Sequence, residues 1–269
     1  MKHYWGKYSK KQIQVSHLLQ KLDEEIQRYT REYQKIMGMD FLKYAVIITV
    51  VVVGIAAYLE NNKFKASSYG KQSKSTFWKV INNKGTHGEY RMSQVLDTTP
   101  FEKKLIYNVY LPKKKEGETT EVDIIMISSK GIYVIENKNY AGWIFGNEKD
   151  QKWCETLKGK KYFFYNPIKQ NNTHIKYLEN LLQIGNEKYT SLITFNLAAD
   201  LKKVTVESEN IHVIAYNNLS AFLEKEKARP DCLTSEEINK IYNTLLPLTQ
   251  VTEDQKQEHI KTIQDKYKK

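Results

Sequence analysis

The feature that most constrains the fold of this chain is a pair of apolar segments within residues 123–138, separated by the turn Ser-Lys-Gly. Two apolar segments joined by such a short turn predict a β-hairpin. If the serine and lysine form a two-residue loop, Asp123 lies directly opposite Glu136. If Gly131 completes a three-residue loop with a bulge, the partners shift by one position.

Two acids and a lysine would meet on one face of this hairpin. Side chains two positions apart in a strand share a face, so Glu136 and Lys138 project together while Asn137 points to the other side. Carboxylates that face each other across two strands are unfavourable, and a divalent metal together with the lysine would remove that cost. The alternative is that Asp123 caps a strand end and that Glu136 and Lys138 form a surface ion pair.

Four further elements accompany the hairpin in a defined order. Together with it they resemble the NERD (nuclease-related) domain of the PD-(D/E)xK nuclease superfamily, over residues 84–185 or about two fifths of the chain. The elements that flank the Asp123…Glu136-x-Lys138 signature are Gly85-Thr-His-Gly-Glu89, the strand and turn of residues 131–142, Trp153, and Asn166-Pro-Ile-Lys-Gln170.

The resemblance implies a restriction-endonuclease-like α/β fold, with a mixed sheet flanked by helices, and a metal-dependent nuclease. It assigns Asp123 and Glu136 as metal ligands, with the backbone carbonyl of Asn137 as a third. Hard oxygen ligands suit Mg²⁺, with Mn²⁺ as the alternative. Lys138 would position or deprotonate the attacking water, or stabilise the pentacovalent phosphate.

Two further residues correspond to site residues of the family. Glu89 corresponds to an acid near the metal; we expect it in the first turn of its helix, where an acid also favours the helix dipole, so a structural role is the alternative. Gln170 would hydrogen-bond the scissile phosphate or the lysine. His174 follows Gln170 by four positions and shares its helix face, but we expect it on the helix surface.

Other candidates are weaker. Glu121 shares a strand face with Asp123, although a solvated strand end is the simpler interpretation. For Trp143 and Trp153 we favour core packing over base stacking. Asn166 and Asn171 are minor candidates.

A second constraint is an uncharged run over residues 44–59. With the preceding residues it forms an apolar stretch over 41–59, interrupted only by Lys43, which is close to the ~20 residues a membrane-spanning helix needs. Tyr44 and Tyr58 occupy positions where interfacial aromatic residues are common. We therefore predict one transmembrane helix; a buried strand or core helix is the alternative. The long polar segment before it argues against a cleaved signal peptide.

Flanking charges indicate the orientation of this helix. Loops rich in Lys and Arg favour the cytoplasm, and the basic residues on the C-terminal side slightly outnumber those before the span. We expect a single-pass protein of the cell membrane with a cytoplasmic C-terminal domain, and free thiols at Cys154 and Cys232 agree with that compartment. The basic residues are Arg28, Arg31 and Lys35 before the span, and Lys63, Lys65, Lys71, Lys74 and Lys79 after it.

The segment before the span, residues 1–40, has a helical repeat of apolar residues between positions 15 and 36. Their spacing alternates between four and three, which is typical of a coiled coil. Either a coiled coil that forms a homodimer or an amphipathic helix on the membrane surface fits this pattern. The repeat comprises Val15, Leu19, Leu22, Ile26, Tyr29, Tyr33 and Ile36.

The remaining segments complete the predicted organisation. Residues 60–84 are basic and serine-rich, which predicts a partly flexible linker. The nuclease-like domain covers 85–185, and 186–269 would extend its sheet or cover its cleft before a charged, helical or frayed tail. We predict helices at 88–97, 167–184, 219–226 and 235–246, and strands at 105–111, 143–145, 152–157, 162–165, 190–195, 203–206 and 211–216.

The net charge of +11 favours polyanionic partners, either nucleic acid or an anionic membrane; a merely solvated lysine-rich surface is the alternative. The favoured function is a membrane-anchored, Mg²⁺-dependent nuclease acting on DNA. A non-catalytic, membrane-tethered DNA-binding or scaffold protein that retains the nuclease fold is the alternative. A third hypothesis is a structural membrane protein that oligomerises through residues 15–36.

Overall fold

The computed structural model of the protein describes residues 5–34, 40–113, 118–252 and 255–256. The chain divides into two compact units, residues 1–66 and residues 67–269. The tail predicted beyond residue 253 lies outside the described residues, apart from 255–256, which are helical.

The first unit contains two long helices, α1 (Trp5–Gln34) and α2 (Asp40–Ala66). Within α2, residues Leu42–Ala66 are long and apolar enough to cross a membrane, and none of its apolar window is buried inside the molecule. A core helix would be mostly buried, so the alternative of a buried segment is not supported. On α1 the apolar residues of the repeat from Leu19 to Tyr29 are exposed; the side chain of Val15 and the whole of Ile36 lie outside the described residues. Pairing of two copies through this helix stays a prediction.

The segment predicted as a linker, residues 60–84, is mostly helical. Helix α2 continues to Ala66, and two short helices follow, α3 (Ser68–Gln72) and α4 (Phe77–Asn82). Tyr69 and Phe77 are buried in the second unit. The prediction of a flexible tether was wrong here, because a few aromatic residues within a polar sequence are enough to pack these helices onto the domain.

The rest of the described chain alternates strands and helices close to the predicted positions. A helix α5 (Lys84–Asp97) precedes the strands, one helix lies between the sixth and seventh strands, and two helices follow the last strand. The elements are β1 (Lys103–Pro112), β2 (Thr119–Ser128), β3 (Gly131–Lys138), β4 (Gly142–Asn147), β5 (Lys152–Leu157), β6 (Lys160–Tyr165), α6 (Pro167–Leu182), β7 (Tyr189–Phe195), β8 (Ala199–Thr205), β9 (Ile211–Ala215), α7 (Leu219–Glu226) and α8 (Ser235–Leu245).

The strands form two mixed sheets flanked by helices, which confirms the predicted α/β class. The larger sheet has the order β1-β2-β3-β7-β9, with antiparallel pairing through β3 and parallel pairing beyond it. The smaller sheet has the order β6-β5-β4-β8, with β8 parallel to β4. The region after residue 185 therefore extends both sheets.

The predicted hairpin is confirmed as β2 and β3. Ile124 pairs with Ile135 and Ser128 with Gly131, which is the register of a two-residue loop. Gly131 has a φ of 124°, and a Cβ at this position would lie 2.7 Å from the carbonyl oxygen of Lys188. A side chain would clash there, so the turn requires glycine.

Local caps determine where the helices begin. Asn166 accepts a hydrogen bond from the backbone N–H of Ile168, and Pro167 occupies the first turn of α6. Thr234 and Glu237 form a complete capping box at the start of α8. These signals are local, and the predicted starts of both helices are confirmed.

Candidate active site

Three polar side chains meet at the end of β3 and the start of α6. Lys138 Nζ lies 2.7 Å from Glu136 Oε1 and donates a hydrogen bond of 2.9 Å to Gln170 Oε1. Gln170 Nε2 donates to the same Glu136 oxygen at 2.8 Å. The amide therefore holds the lysine and the glutamate in one arrangement. The sequence predicted that Glu136 and Lys138 would share a face, and contact between Gln170 and the lysine was one of the two roles that the family resemblance implied.

Asp123 joins this group from the neighbouring strand. Its Oδ2 accepts a hydrogen bond of 2.8 Å from the backbone N–H of Asn137. The register of the hairpin, continued by one position beyond Ile124 and Ile135, places Asp123 opposite Glu136. Glu136 is only 3% exposed, whereas Asp123 is half-buried.

The two carboxylates titrate in opposite directions. Burial raises the pKa of Asp123 well above its usual value, and the Glu136 and Glu89 carboxylates raise it further. Burial alone would also raise the pKa of Glu136, but Lys138 and His174 hold it below its usual value. The site thus favours the ionised form of Glu136 and disfavours ionisation of the neighbouring Asp123.

Lys138 is held in its charged form. Burial alone would lower the pKa of Lys138, but Glu136 and Asp123 hold it above its usual value. A lysine in this state donates hydrogen bonds and stabilises negative charge. These surroundings favour Lys138 as a cation that positions the water or stabilises the phosphate, rather than as a base that deprotonates the water.

His174 belongs to the site, and its predicted position on the helix surface was wrong. The residue is 2% exposed; its Nε2 lies 3.4 Å from Glu136 Oε2, and its Nδ1 lies 3.3 Å from Thr120 Oγ1. The spacing of four residues from Gln170 was the signal for this placement. It was outweighed because sequence alone does not show which face of α6 packs on the sheet.

Glu89 approaches the same region from α5, but not in the first turn as predicted. The helix begins at Lys84, because the side chain of Asn83 accepts hydrogen bonds from the backbone N–H groups of Gly85 and Thr86. Glu89 therefore lies in the second turn, and the helix dipole does not explain it.

The carboxylate of Glu89 has two side-chain donors. Its Oε2 accepts hydrogen bonds from Tyr69 at 3.1 Å and from Asn108 Nδ2 at 3.3 Å. Burial raises the pKa of Glu89, these hydrogen bonds oppose the rise, and nearby Glu121 adds to it. Asn108 lies within β1 with a φ of 53°, a conformation that costs free energy and is concentrated at functional sites.

Glu121 is less solvated than a free strand end. Its Oε1 accepts a hydrogen bond of 2.9 Å from Tyr110. Burial raises its pKa, the hydrogen bond from Tyr110 opposes this, and Glu136 is among the groups that raise it further. Sequence reasoning placed this residue on the correct strand face but preferred a solvated position.

Helix α5 approaches β3 closely at Gly88. A Cβ at Gly88 would lie 2.7 Å from Asn137 Nδ2, and Asn137 Oδ1 accepts a hydrogen bond of 3.2 Å from Thr194. The side chain of Asn137 therefore points away from Glu136 and Lys138, as the strand alternation predicted.

The remaining candidate residues lie in the core, at a helix cap or on the surface rather than beside Glu136 and Lys138. Trp153 is 1% exposed and packs in the core, as predicted, but Trp143 is 52% exposed, so core packing was wrong for it. Asn166 caps α6, and its Nδ2 donates to three backbone carbonyls. Asn171 is buried and donates to the carbonyl of Val134.

The oxygen donors of this site suit a divalent metal. Glu136 Oε2 is buried and accepts no close hydrogen bond from the described residues, with His174 Nε2 at 3.4 Å, and it lies in a site where a second negative charge is unfavourable. Across the described ranges, no three His, Cys, Asp or Glu side chains are grouped to hold a metal ion. The protein thus offers two carboxylates, Asp123 and Glu136. This set fits Mg²⁺, which commonly binds through one or two carboxylates, water and substrate phosphate.

Comparison with known proteins places this geometry in context. Residues 84–196 match the family model of the nuclease-related domain, NERD. The match extends past residue 185 and so includes β7, the strand that pairs with β3. An uncharacterised protein of Bacillus anthracis is 34% identical over 187 residues, which covers 69% of this chain and 86% of the relative.

The crystal structure of the protein of unknown function AF1548 has 12% sequence identity and a TM-score of 0.29, and the match covers 66% of this chain and 96% of that one. A TM-score this low supports no argument about the fold.

Proposed function

This chain belongs to the nuclease-related domain family, and from that premise we propose that it is a membrane-anchored, metal-dependent nuclease that hydrolyses phosphodiester bonds in DNA. The observation that carries the proposal is the closed arrangement of Glu136, Lys138 and Gln170 beside Asp123. Phosphodiester hydrolysis requires a positioned water and stabilisation of negative charge on the phosphate.

The described residues divide these tasks. Lys138, held as a cation, stabilises the charge that develops on the phosphate or orients the water. Gln170 hydrogen-bonds both the lysine and Glu136 and so fixes their relative positions, so that neither must reorganise when the substrate arrives. His174 packs against the far oxygen of Glu136 and restricts its rotation. Glu89, from α5, adds a further acid at the edge of the site.

Asp123 and Glu136 would hold Mg²⁺ or Mn²⁺, with the backbone carbonyl of Asn137 as a further ligand and Glu89 nearby. When bound, the metal would polarise the phosphate and lower the pKa of a water molecule. The raised pKa of Asp123 supports this assignment, because a divalent cation would offset the repulsion between the carboxylates.

The membrane anchor would be residues 41–59 of α2, which overlap the apolar span Leu42–Ala66. Lys63 and Lys65 lie in the last turn of that helix, and they contribute to the positive bias that favours a cytoplasmic C-terminal domain. We propose a single-pass protein of the cell membrane whose nuclease-related domain faces the cytoplasm, where DNA is available.

The test is cleavage of plasmid, linear and single-stranded DNA by the full-length protein in detergent, with Mg²⁺, Mn²⁺ or a chelator. We expect metal-dependent cleavage that is lost in Lys138→Ala. Lys149→Ala is the matched control, because the side chain of Lys149 is 74% exposed and pairs with Glu207 far along the sequence. Unchanged cleavage by Lys138→Ala, in a folded protein, would refute the assignment of the site.

A second candidate is a non-catalytic scaffold that retains this fold. The exposed apolar residues of α1, among them Leu19, Leu22 and Ile26, favour association through residues 15–36, either between two copies or with the membrane surface. DNA binding without cleavage under every metal condition would support the scaffold. An unchanged oligomer size after replacement of Leu22 and Ile26 by serine would argue against the homodimer.

A further inference from the structure

The two faces of the smaller sheet differ sharply. On one face, Ile144 and Trp153 form a buried core with Ile193 and Phe195 of the larger sheet. Only the edge strand β6 exposes side chains on this face among the described residues, at Lys160 and Tyr162. The side chains on the opposite face, defined here as the open face, are exposed or half-buried without exception among the described residues. The open face comprises alternate residues of β4, β5, β6 and β8, from Trp143 to Asn147, Lys152 to Thr156, Lys161 to Tyr165 and Asp200 to Thr205.

Aromatic rings lie in adjacent rows of this open face. Phe145 pairs with Cys154, which pairs with Phe163, so the two phenylalanines share a row two strands apart. Trp143 lies in the next row, paired with Thr156, and Tyr165 lies beyond Phe163 on the edge strand. Trp143 is 52% exposed and Phe163 68% exposed. Large aromatic side chains exposed this far need a reason, because their burial would be favourable.

Lysines surround these rings. Lys161 lies in the row of Trp143, and Lys203 pairs with Phe145. Lys202 Nζ lies 5.5 Å from the centre of the Trp143 ring, and Lys152 pairs with Tyr165. Asp200 is the acid of this face within the described residues, and Lys202 contacts it at 2.6 Å. The open face is therefore positively charged as well as aromatic.

The open face begins close to the candidate active site. Trp143 follows Lys138 by five residues, so their Cα atoms lie at most about 18 Å apart. Adjacent rows on a strand are about 6.8 Å apart, a spacing that suits successive bases of an extended strand. A strand bound across the rings would reach the site within a few nucleotides.

We propose that the open face binds single-stranded nucleic acid and presents it to the site formed by Glu136 and Lys138. The proposal rests on the proposed nuclease function and specifies its substrate as a single strand or an unpaired end. Exposed rings stack on bases irrespective of sequence, while lysines contact the phosphates. Duplex DNA hides its base faces within the stack, so it would engage only the lysines. An anionic membrane would also attract the lysines, but it would give no role to rings arranged in rows.

The experiment measures binding of a labelled oligothymidylate of about 12 nucleotides to the full-length protein in neutral-lipid nanodiscs, by fluorescence anisotropy with a chelator present. We expect the double variant Trp143→Ala, Phe163→Ala to bind about a hundredfold more weakly, since each lost stacking contact costs about tenfold. The control is Tyr162→Ala, because Tyr162 is 50% exposed on the same strand but on the other face. We expect this control to bind within about twofold of the wild type.

A charge variant provides an independent test that leaves the rings intact. Lys161→Glu should weaken oligonucleotide binding and reduce its dependence on salt, because one phosphate contact is lost. Unchanged binding by both the double variant and Lys161→Glu would overturn the proposal. Capture of the wild type, but not of the double variant, by vesicles of phosphatidylcholine and phosphatidylserine, with equal oligonucleotide binding, would also overturn it in favour of a membrane contact.

Failure of this proposal is distinguishable from failure of the nuclease function. If the double variant loses oligonucleotide binding but the wild type cleaves no DNA with any metal, the open face is supported and the nuclease function is refuted. If the wild type cleaves and the double variant cleaves single strands equally well with unchanged binding, the nuclease function is supported and the open face is refuted.

Discussion

The two sheets of the second unit share a mixed topology but differ in how far their charged side chains are exposed to solvent. In the larger sheet, β3 is buried from Gly131 through Glu136, so its acids lie in a poorly solvated region at the end of the strand. In the smaller sheet one face is open, and its lysines remain in contact with water. Burial perturbs the charges of the first sheet and leaves those of the second available for a partner. Comparable residues in the two sheets therefore should respond differently to the same substitution.

The largest expected difference concerns a buried glutamate in each sheet. Glu136→Gln should lower DNA cleavage by at least about a hundredfold, since a metal ligand and the partner of Lys138 lose their charge. Glu155→Gln is the matched control, because Glu155 is 8% exposed and accepts a hydrogen bond from the backbone N–H of Ala141, which glutamine preserves. Cleavage rates at saturating Mg²⁺ compare the two. Equal losses would show that the effect is structural.

Backbone conformation gives the next comparison. Asn108 in the larger sheet and Lys158 in the smaller one have φ values of 53° and 51°. Asn108→Ala should lower the free energy of unfolding by about 1–2 kcal/mol, since alanine tolerates this conformation poorly, whereas Lys158→Gly should raise it by up to about 1 kcal/mol. Urea denaturation measures both. Asn108→Gly keeps the backbone but loses the hydrogen bond to Glu89, so reduced cleavage without the full stability loss would assign a positioning role to the amide.

Asp123→Asn should stabilise the metal-free protein by about 1 kcal/mol, because it removes a carboxylate that burial and Glu136 disfavour. The same change should abolish the stabilisation that Mg²⁺ gives the wild type. Asp200→Asn, on the open face, is the control and should change neither property. Thermal unfolding with and without Mg²⁺ provides the measurement. If Mg²⁺ still stabilised Asp123→Asn, Asp123 would not be a metal ligand.

The smallest expected effect concerns acid sensitivity at the end of the smaller sheet. Hydrogen bonds from the Ser208 hydroxyl and from the backbone N–H groups of Glu207 and Ser208 hold the pKa of Glu148 below its usual value. A lowered pKa stabilises the fold above the unfolded value, about 4.3, and this contribution is lost as the pH falls through the folded value. Glu148→Gln should therefore reduce the loss of stability below that pH. If the free energy of unfolding of the variant fell with pH as it does in the wild type, Glu148 would not contribute to the acid sensitivity.

Much of the fold was predictable because its signals are local. The hairpin follows from two apolar segments around a short turn, and α7 and the start of α8 follow from helical spacing and a capping box. The sequence allows two hairpin registers, one for each loop length, and the structure shows the two-residue loop. Glu89 was assigned to the wrong turn because the local cap at Asn83 starts α5 earlier than predicted. The positions of His174 and Trp143 were wrong for a common reason. Each depends on which face of an element packs against a distant one, and periodicity alone does not identify that partner.

The linker was wrong for a related reason. Residues 60–84 look polar by composition, but Tyr69 packs against Tyr107 at a centroid distance of 5.0 Å and donates a hydrogen bond to Glu89. Composition averages over a segment, whereas a few aromatic contacts with a distant strand are enough to order it.

The sequence by itself determined the local elements that carry the candidate site: an apolar segment long enough for a membrane, a strand pair ending in Asp123, Glu136 and Lys138, and a helix opened by Asn166 that carries Gln170. These follow from spacing within a few residues, where backbone geometry leaves little choice. Only the tertiary structure decided that His174 contacts Glu136, that Asn108 and Tyr69 hold Glu89, and that Trp143 faces water. Such contacts join residues far apart in the chain, and their formation depends on how the two sheets and their helices pack together.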